Sequence, residues 1–329
     1  MKYFLIALAF VSIYGCGKKE NPESLSPKKA DSLRTVYKSV SEDKREQIVS
    51  LEQGSFFFPH FSPNDSKIYA TSNSQKGIYS IDLNSKQINT ITDDQGAGYN
   101  FIVMQNGLCL VYRRDSFSSR RRKSEIVLVN IAGDSSKIIF NEAVDLSYPV
   151  KVNENVFAFT AGGQLKIYDI TQSSFAEPSN VKDTILYVDG DSYSLLINGQ
   201  KKPFAPFGKG SYVWASLSPN KNAVVFNYMG KGTFIADLEG KETARLAYAG
   251  YPQWSPDGNW IAYMTEESDG HVIMRAEIFV TSSDGKTTFQ ITSSDNLAEL
   301  YPSWSHDGGS LVYNSDKGEV YISKLSFNK

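Results

Sequence analysis

Few side chains in this sequence are suited to acid–base or nucleophilic chemistry. The 329 residues include three histidines (His60, His271 and His306) and two cysteines (Cys16 and Cys109). Histidine-rich metal ligation with a supporting carboxylate needs more than this, so no metal or cofactor is expected and no catalytic residue is assigned. Asp93-Asp-Gln-Gly96 and Asp189-Gly-Asp-Ser192 have calcium-like spacing, but neither completes an EF-hand loop, and tight strand turns explain both. The densest charge cluster is Arg113-Arg-Asp-Ser-Phe-Ser-Ser-Arg-Arg-Arg-Lys123. It forms a candidate anion-, headgroup- or partner-binding finger built from Arg113, Arg114, Phe117, Arg120, Arg121, Arg122 and Lys123, with a solvated hairpin as the plainer reading. The formal net charge is −2 with mixed signs, so nothing in the overall charge points to nucleic acid.

The N-terminal residues address the compartment. Lys2 precedes the uncharged apolar run Phe4 to Tyr14, eleven residues long. A membrane-spanning helix needs roughly 20, whereas a signal-peptide core needs fewer. The run ends Ile13-Tyr14-Gly15-Cys16, which resembles the lipobox of bacterial lipoproteins. That resemblance implies cleavage after residue 15, lipid on Cys16, and attachment to a membrane through acyl chains. Gly17 after the cysteine favours the outer membrane under the sorting rules of some bacteria. With Cys16 acylated, Cys109 has no disulfide partner; in the apolar run Leu108-Cys-Leu-Val-Tyr112 it reads as a small core residue. Residues 16–44 are polar and charged and read as a tether, with a short helix around Asp31 to Val40.

The remaining residues, 45–329, repeat. Tyr251-Pro-Gln-Trp-Ser-Pro-Asp-Gly258 and Tyr301-Pro-Ser-Trp-Ser-His-Asp-Gly308 are the best copies, each followed by an apolar strand. Phe58-Pro-His-Phe-Ser-Pro-Asn-Asp65 and Trp214-Ala-Ser-Leu-Ser-Pro-Asn220 follow the same plan, and weaker copies begin near Asn100 and Tyr148. Each unit reads as a short strand, a Ser-Pro-Asp-Gly turn, an apolar strand, an alternating strand after a variable hairpin, and a fourth strand. Four antiparallel strands in about 40 residues make one propeller blade.

Second-and-third-strand pairs fall at 67–83, 108–131, 156–170, 184–198, 223–238, 260–281 and 310–325. Seven blades are favoured. Six blades, with 171–211 as an insertion, is the alternative, because the fourth pair lacks the Ser-Pro-Asp-Gly turn. The chain stops after the third strand of its last blade, and Gln47-Ile-Val-Ser50 resembles a fourth strand without a blade. Residues 45–51 are therefore expected to complete the last blade and leave no free edge.

These repeats resemble those of TolB-type propellers, also found in prolyl-oligopeptidase-like peptidases. The resemblance implies an all-β propeller in which Ser255, Pro256, Asp257 and Asp307 build turns. The peptidases' hydrolase domain is missing: no Gly-x-Ser-x-Gly elbow occurs. TolB's separate N-terminal α/β domain is missing too. Oligogalacturonate lyases with similar repeats hold a metal with several channel-facing histidines; here His60 and His306 fall in the first and last blades, which adjoin in a closed ring. The favoured function is an envelope lipoprotein whose propeller binds a protein or peptide. The alternative is a carbohydrate-active or other small-substrate lyase or hydrolase working in the channel. Fold alone decides neither.

Overall fold

The computed structural model describes residues 39–118, 121–132, 135–142, 145–268, 273–295 and 297–328. They form seven antiparallel sheets, six of four strands and one of three. These are the blades of a propeller: blade 1 spans 57–92, blade 2 102–142, blade 3 150–176, blade 4 185–204, blade 5 212–246, blade 6 250–290 and blade 7 299–328. The apolar side chains lie between neighbouring blades. Val225 and Ile235 of blade 5, for example, pack with Ile261 and Tyr263 of blade 6.

Hydrogen bonds explain the repeated turn. In blade 7 the Ser305 hydroxyl donates to Asp307 Oδ1 at 2.6 Å and accepts the Ser310 N–H at 2.9 Å. Ser255 makes the same two bonds in blade 6, to Asp257 at 2.6 Å and from Trp260 N–H at 2.9 Å. Ser62 and Ser218 do so with Asn64 and Asn220. All four serines are buried. Each hydroxyl thus ties the acceptor of the turn to the start of the next strand.

The tryptophans of the motif tie blade to blade. Trp254 Nε1 donates to Ser216 O of blade 5 at 3.2 Å, and Trp304 Nε1 to Gln253 O of blade 6 at 3.1 Å. At the junction of blades 7 and 1, Asp65 accepts the backbone N–H groups of His306 and Asp307 at 2.7 and 3.2 Å.

The ring closes as the sequence predicts, over a longer stretch. Ser39–Val49 pairs with Val320–Asn328, from Ser39 opposite Asn328 to Val49 opposite Val320. The strand begins six residues before the expected boundary at 45, and Val40 is buried against Trp260 and Tyr313. Arg45 locks this strand in place: its Nη1 meets Glu299 at 3.0 Å and Ser294 at 2.8 Å, and its Nε meets Glu42 at 3.0 Å. Glu299 is fully buried, which pushes its carboxyl above the usual range even though Ser294 and Arg45 favour the charged form.

Seven sheets exclude the six-bladed alternative; 171–211 holds the outer strand of blade 3 and all of blade 4. Blade 4 is the three-stranded one. Its last strand, Gln200–Phe204, has the same burial order as the outermost strand Glu242–Leu246 of blade 5, so the missing strand is the innermost. Where that strand would run, 178–180 make one 3-10 turn with Pro178 at its start. Proline contributes no ladder N–H, which suits a turn better than a central strand.

Two outcomes follow. Removing residues 17–38 should leave the melting temperature unchanged, whereas removing 17–50 should lower it by more than about 5 °C; equal values would show that the strand does not close the ring. Ser305→Ala should cost about 1–3 kcal/mol in urea unfolding, because Asp307 and the Ser310 N–H both lose a buried partner.

Candidate functional site

The innermost strands of blades 1, 5, 6 and 7 run into their Ser-Pro-Asp-type turns, which gives the propeller a turn end and an opposite, hairpin end. Four innermost strands begin with a bulge, at 57–60, 213–216, 250–253 and 300–303. The first bulged residue is aromatic each time: Phe58, Trp214, Tyr251 and Tyr301, with φ of 52, 53, 51 and 57°. A non-glycine residue in this region costs about 1–3 kcal/mol and persists only where its surroundings enforce it. The displaced backbone N–H groups are taken up by neighbours. Phe58 N–H donates to Asn314 Oδ1 at 3.0 Å, Tyr301 N–H to Met264 Sδ at 3.5 Å, and Ala215 N–H to the Tyr193 hydroxyl.

The bulges turn aromatic rings into the hairpin end of the channel. Phe58 and Tyr301 lie 4.0 Å apart, centroid to centroid, and Tyr301 and Tyr251 5.3 Å. Tyr99 and Tyr148 from blades 2 and 3 add a second pair at 4.4 Å. Burial raises the phenol pKa of Tyr99, Tyr251 and Tyr301, so these walls are neutral. The aromatic-Pro dipeptides at 58, 148, 251 and 301, at one fixed offset before the turn, are the sequence signal for this ring.

His60 sits one step further along the channel. Its Nδ1 lies 3.2 Å from Ser303 Oγ of blade 7, and its ring meets Phe101 edge-on at 5.7 Å. A serine–histidine contact invites a nucleophile reading, but burial lowers the imidazole pKa to about 4. A base that weak does not draw a proton from a serine at neutral pH. His306 is exposed on the blade 7 turn, and His271 lies outside the described residues.

At the turn end the channel widens into a vestibule of about 570 Å³, whose walls include Trp254, Trp304, Lys151, Glu154 and His306. Lys151 Nζ and Glu154 Oε1 are 2.5 Å apart, and Glu154 Oε2 accepts the Asn106 N–H at 2.8 Å. Among the described residues no group of three histidine, cysteine or carboxylate side chains could hold a metal ion.

The basic finger is the hairpin of Cys109–Ser118 and Arg121–Asn130, and its members part company. Arg113 is buried. It donates to Leu146 O at 2.8 Å, to the Tyr148 hydroxyl at 2.6 Å and to Asp115 at 3.0 Å, with its guanidinium carbon 3.8 Å from the Tyr148 ring centre. It props the aromatic ring and offers nothing to a ligand. Arg114 pairs with Glu125 at 2.7 Å and Lys123 with the same carboxylate at 3.0 Å. Phe117 is 71% exposed and Arg122 is exposed opposite it. Arg120 lies outside the described residues, as does the side chain of Arg121. So does Cys16. Cys109 is buried, and desolvation pushes its thiol up to about 11, an inert core residue.

A second long hairpin, Trp260–Ser268 with Ile273–Ser282, leaves the same end. Six of the nine exposed large apolar side chains among the described residues belong to this end: Leu51, Phe117, Trp214, Met229, Tyr248 and Met274. Among the described residues no helix is long and apolar enough to cross a membrane.

A closed disc of seven blades with a Ser-Pro-Asp turn in its repeat defines a β-propeller with the TolB-like fold. TolB from Acinetobacter baumannii aligns with a TM-score of 0.50 at 18% identity, covering 77% of this chain and 57% of that one. A putative TolB from Agrobacterium tumefaciens (TM-score 0.49, 14% identity, 83% of this chain and 90% of that one) and an oligogalacturonate lyase from Vibrio parahaemolyticus (0.49, 11%, 84% and 79%) are also similar. No family model matches the chain, and no curated protein matches its sequence.

Because native His60 binds a proton only below about pH 4 while an unfolded histidine does so near 6.5, the unfolded state gains protons first as pH falls. Stability is therefore expected to decline from pH 6.5 toward 4, with a shallower decline in His60→Gln. Identical pH profiles by urea unfolding would contradict the assigned neutral imidazole.

Proposed function

We propose that this chain is a lipid-anchored protein of the bacterial cell envelope whose propeller binds a protein or peptide partner at its hairpin end. The observation that carries this reading is the gathering of exposed apolar side chains at that one end, around a neutral aromatic channel mouth. Interaction faces commonly concentrate large apolar side chains. Strands fixed in a closed ring hold the loops at little entropic cost, and attachment to a membrane raises the encounter rate with other envelope components. Cys16 is the lipid site in this reading, with the outer membrane favoured.

A small-substrate enzyme is the second reading. The vestibule favours it, since a space of about 570 Å³ lined by aromatic side chains and a paired lysine and glutamate could hold a small polar molecule. The weakly basic His60 counts against proton abstraction in the channel.

Crosslinking of the tagged, full-length protein in its own envelope, with the products identified by mass spectrometry, tests the binding reading. A stoichiometric protein or peptide partner is expected, its yield falling at least about tenfold in Trp214→Ser/Tyr248→Ser. A yield indifferent to that variant would remove the hairpin end from the function. Cys16→Ala should move the protein out of the membrane fraction; retention there would rule out the lipid anchor.

A further inference from the structure

Blade 4 leaves a sheet edge unpaired on its channel side. Its strands run in the order Ile185–Asp189, Ser192–Ile197 and Gln200–Phe204, whereas the other six blades each cover the corresponding edge with an innermost strand. In chain order 178–180 stand where that strand belongs, but in space 179–183 keep to the turn end. Ser179 lies against Gly199, and Asp183 pairs with Lys221 at 2.6 Å and with Asn153 at 3.3 Å, both on turns of the neighbouring blades.

The register fixes which groups this edge presents. Asp189 and Ser192 flank a two-residue turn, so Asp189, Tyr187 and Ile185 exchange hydrogen bonds with Ser192, Ser194 and Leu196. Leu186 and Val188 therefore direct their N–H and C=O groups to the open side. Among the described residues no backbone or side-chain group meets them there with a hydrogen bond. An unpaired edge of this kind is a template for another chain.

Both flanks of the edge are apolar and only half covered. Toward blade 3, Val150 packs at the margin of the cluster that holds Ile185 and Tyr187. Toward blade 5, Ala215 and Leu217 stand at the margin of the cluster that holds Leu186. Val150, Ala215 and Leu217 are half-buried, whereas Ile185, Leu186 and Tyr187 are buried. Trp214, exposed beside Ala215, joins this flank to the apolar hairpin end.

The spacing of the free groups names their occupant. Two N–H and two C=O groups on alternate residues of a strand are matched by another extended backbone, and by neither a helix nor a small molecule. In blades 1, 5, 6 and 7 the innermost strand lies antiparallel to the second and runs from the hairpin end to the turn end. A segment entering from the exposed hairpin end has the same direction. Its alternate side chains meet the apolar flanks, and proline at a bonding position is excluded. We infer that blade 4 takes an extended, apolar-rich segment of a partner protein as its fourth strand, antiparallel to Ile185–Asp189. This deepens the binding reading, and rests on it, by naming the form in which the partner is held.

The full-length protein in its own envelope, with photoreactive benzoylphenylalanine in place of Trp214, tests this. Mass spectrometry of the photoproduct should find one partner segment, rich in apolar residues and free of proline. Val188→Pro removes an edge N–H and leaves the bonds to Ser192–Ile197 intact, so it should lower the yield at least about tenfold at an unchanged urea midpoint. Amide exchange reads the same contact without that variant. Leu186 and Val188 should exchange at least about tenfold more slowly in the photoproduct than in the uncrosslinked protein, with Tyr187 alike in both. If the proline lowers the midpoint, the exchange decides. A yield indifferent to Val188→Pro, unchanged exchange at 186 and 188, or capture of residues 17–38 of this chain or of a second copy would overturn the added strand. A partner still found by general crosslinking then leaves the binding reading standing with another contact surface; if no partner is found by either route, both fail.

Discussion

Nine residue pairs join Ser39–Val49 to Val320–Asn328, and the closure of the ring depends on them. Six of the seven blades follow one another along the chain and could stack as an open fan. Only pairing between the two ends of the sequence turns the fan into a ring with no exposed edge. The seam is secured further by Arg45, which reaches from the closing strand to Glu299, Ser294 and Glu42. The low-dielectric pocket around Glu299 makes that contact matter, since a buried carboxylate without a cation beside it is costly. The closing strand is thus set by register, by apolar burial of Val40, Ile48 and Val49, and by charge together.

The repeat was legible because its chemistry is local. Serine, proline, aspartate and glycine at fixed spacing make a turn whose hydrogen bonds run between residues two to five apart, and such bonds can be read from one stretch of sequence. The strand count failed only in blade 4, where the turn motif is absent and the innermost strand is replaced by a turn at Pro178. Arg113 shows the other limit. It stands in a basic run and looks like its neighbours, yet the cross-strand alternation points it inward, to Tyr148 and Leu146 more than thirty residues away. Charge patterning alone could not tell it from Arg122.

The aromatic bulges lie between these extremes. Their sequence mark, an aromatic residue before proline, is plain, but its meaning depends on the ring of blades that faces four such residues inward. Proline after the bulged residue removes an N–H that the displaced backbone would otherwise leave without a partner. Where alanine replaces it, at 215, the spare N–H finds the Tyr193 hydroxyl of blade 4.

The closing strand enters the disc at the turn end, where Ser39 faces Asn328, and runs along the outer edge of blade 7. Its ladder hydrogen bonds lie across the direction of the chain. A pull on residue 39 along the strand's own direction therefore loads the ladder in shear, and the paired residues resist together instead of parting one at a time. A pull across the strand at the same point peels them in sequence. Mechanical strength at this attachment is therefore directional: greatest when tension runs along the closing strand, and least when it runs across it.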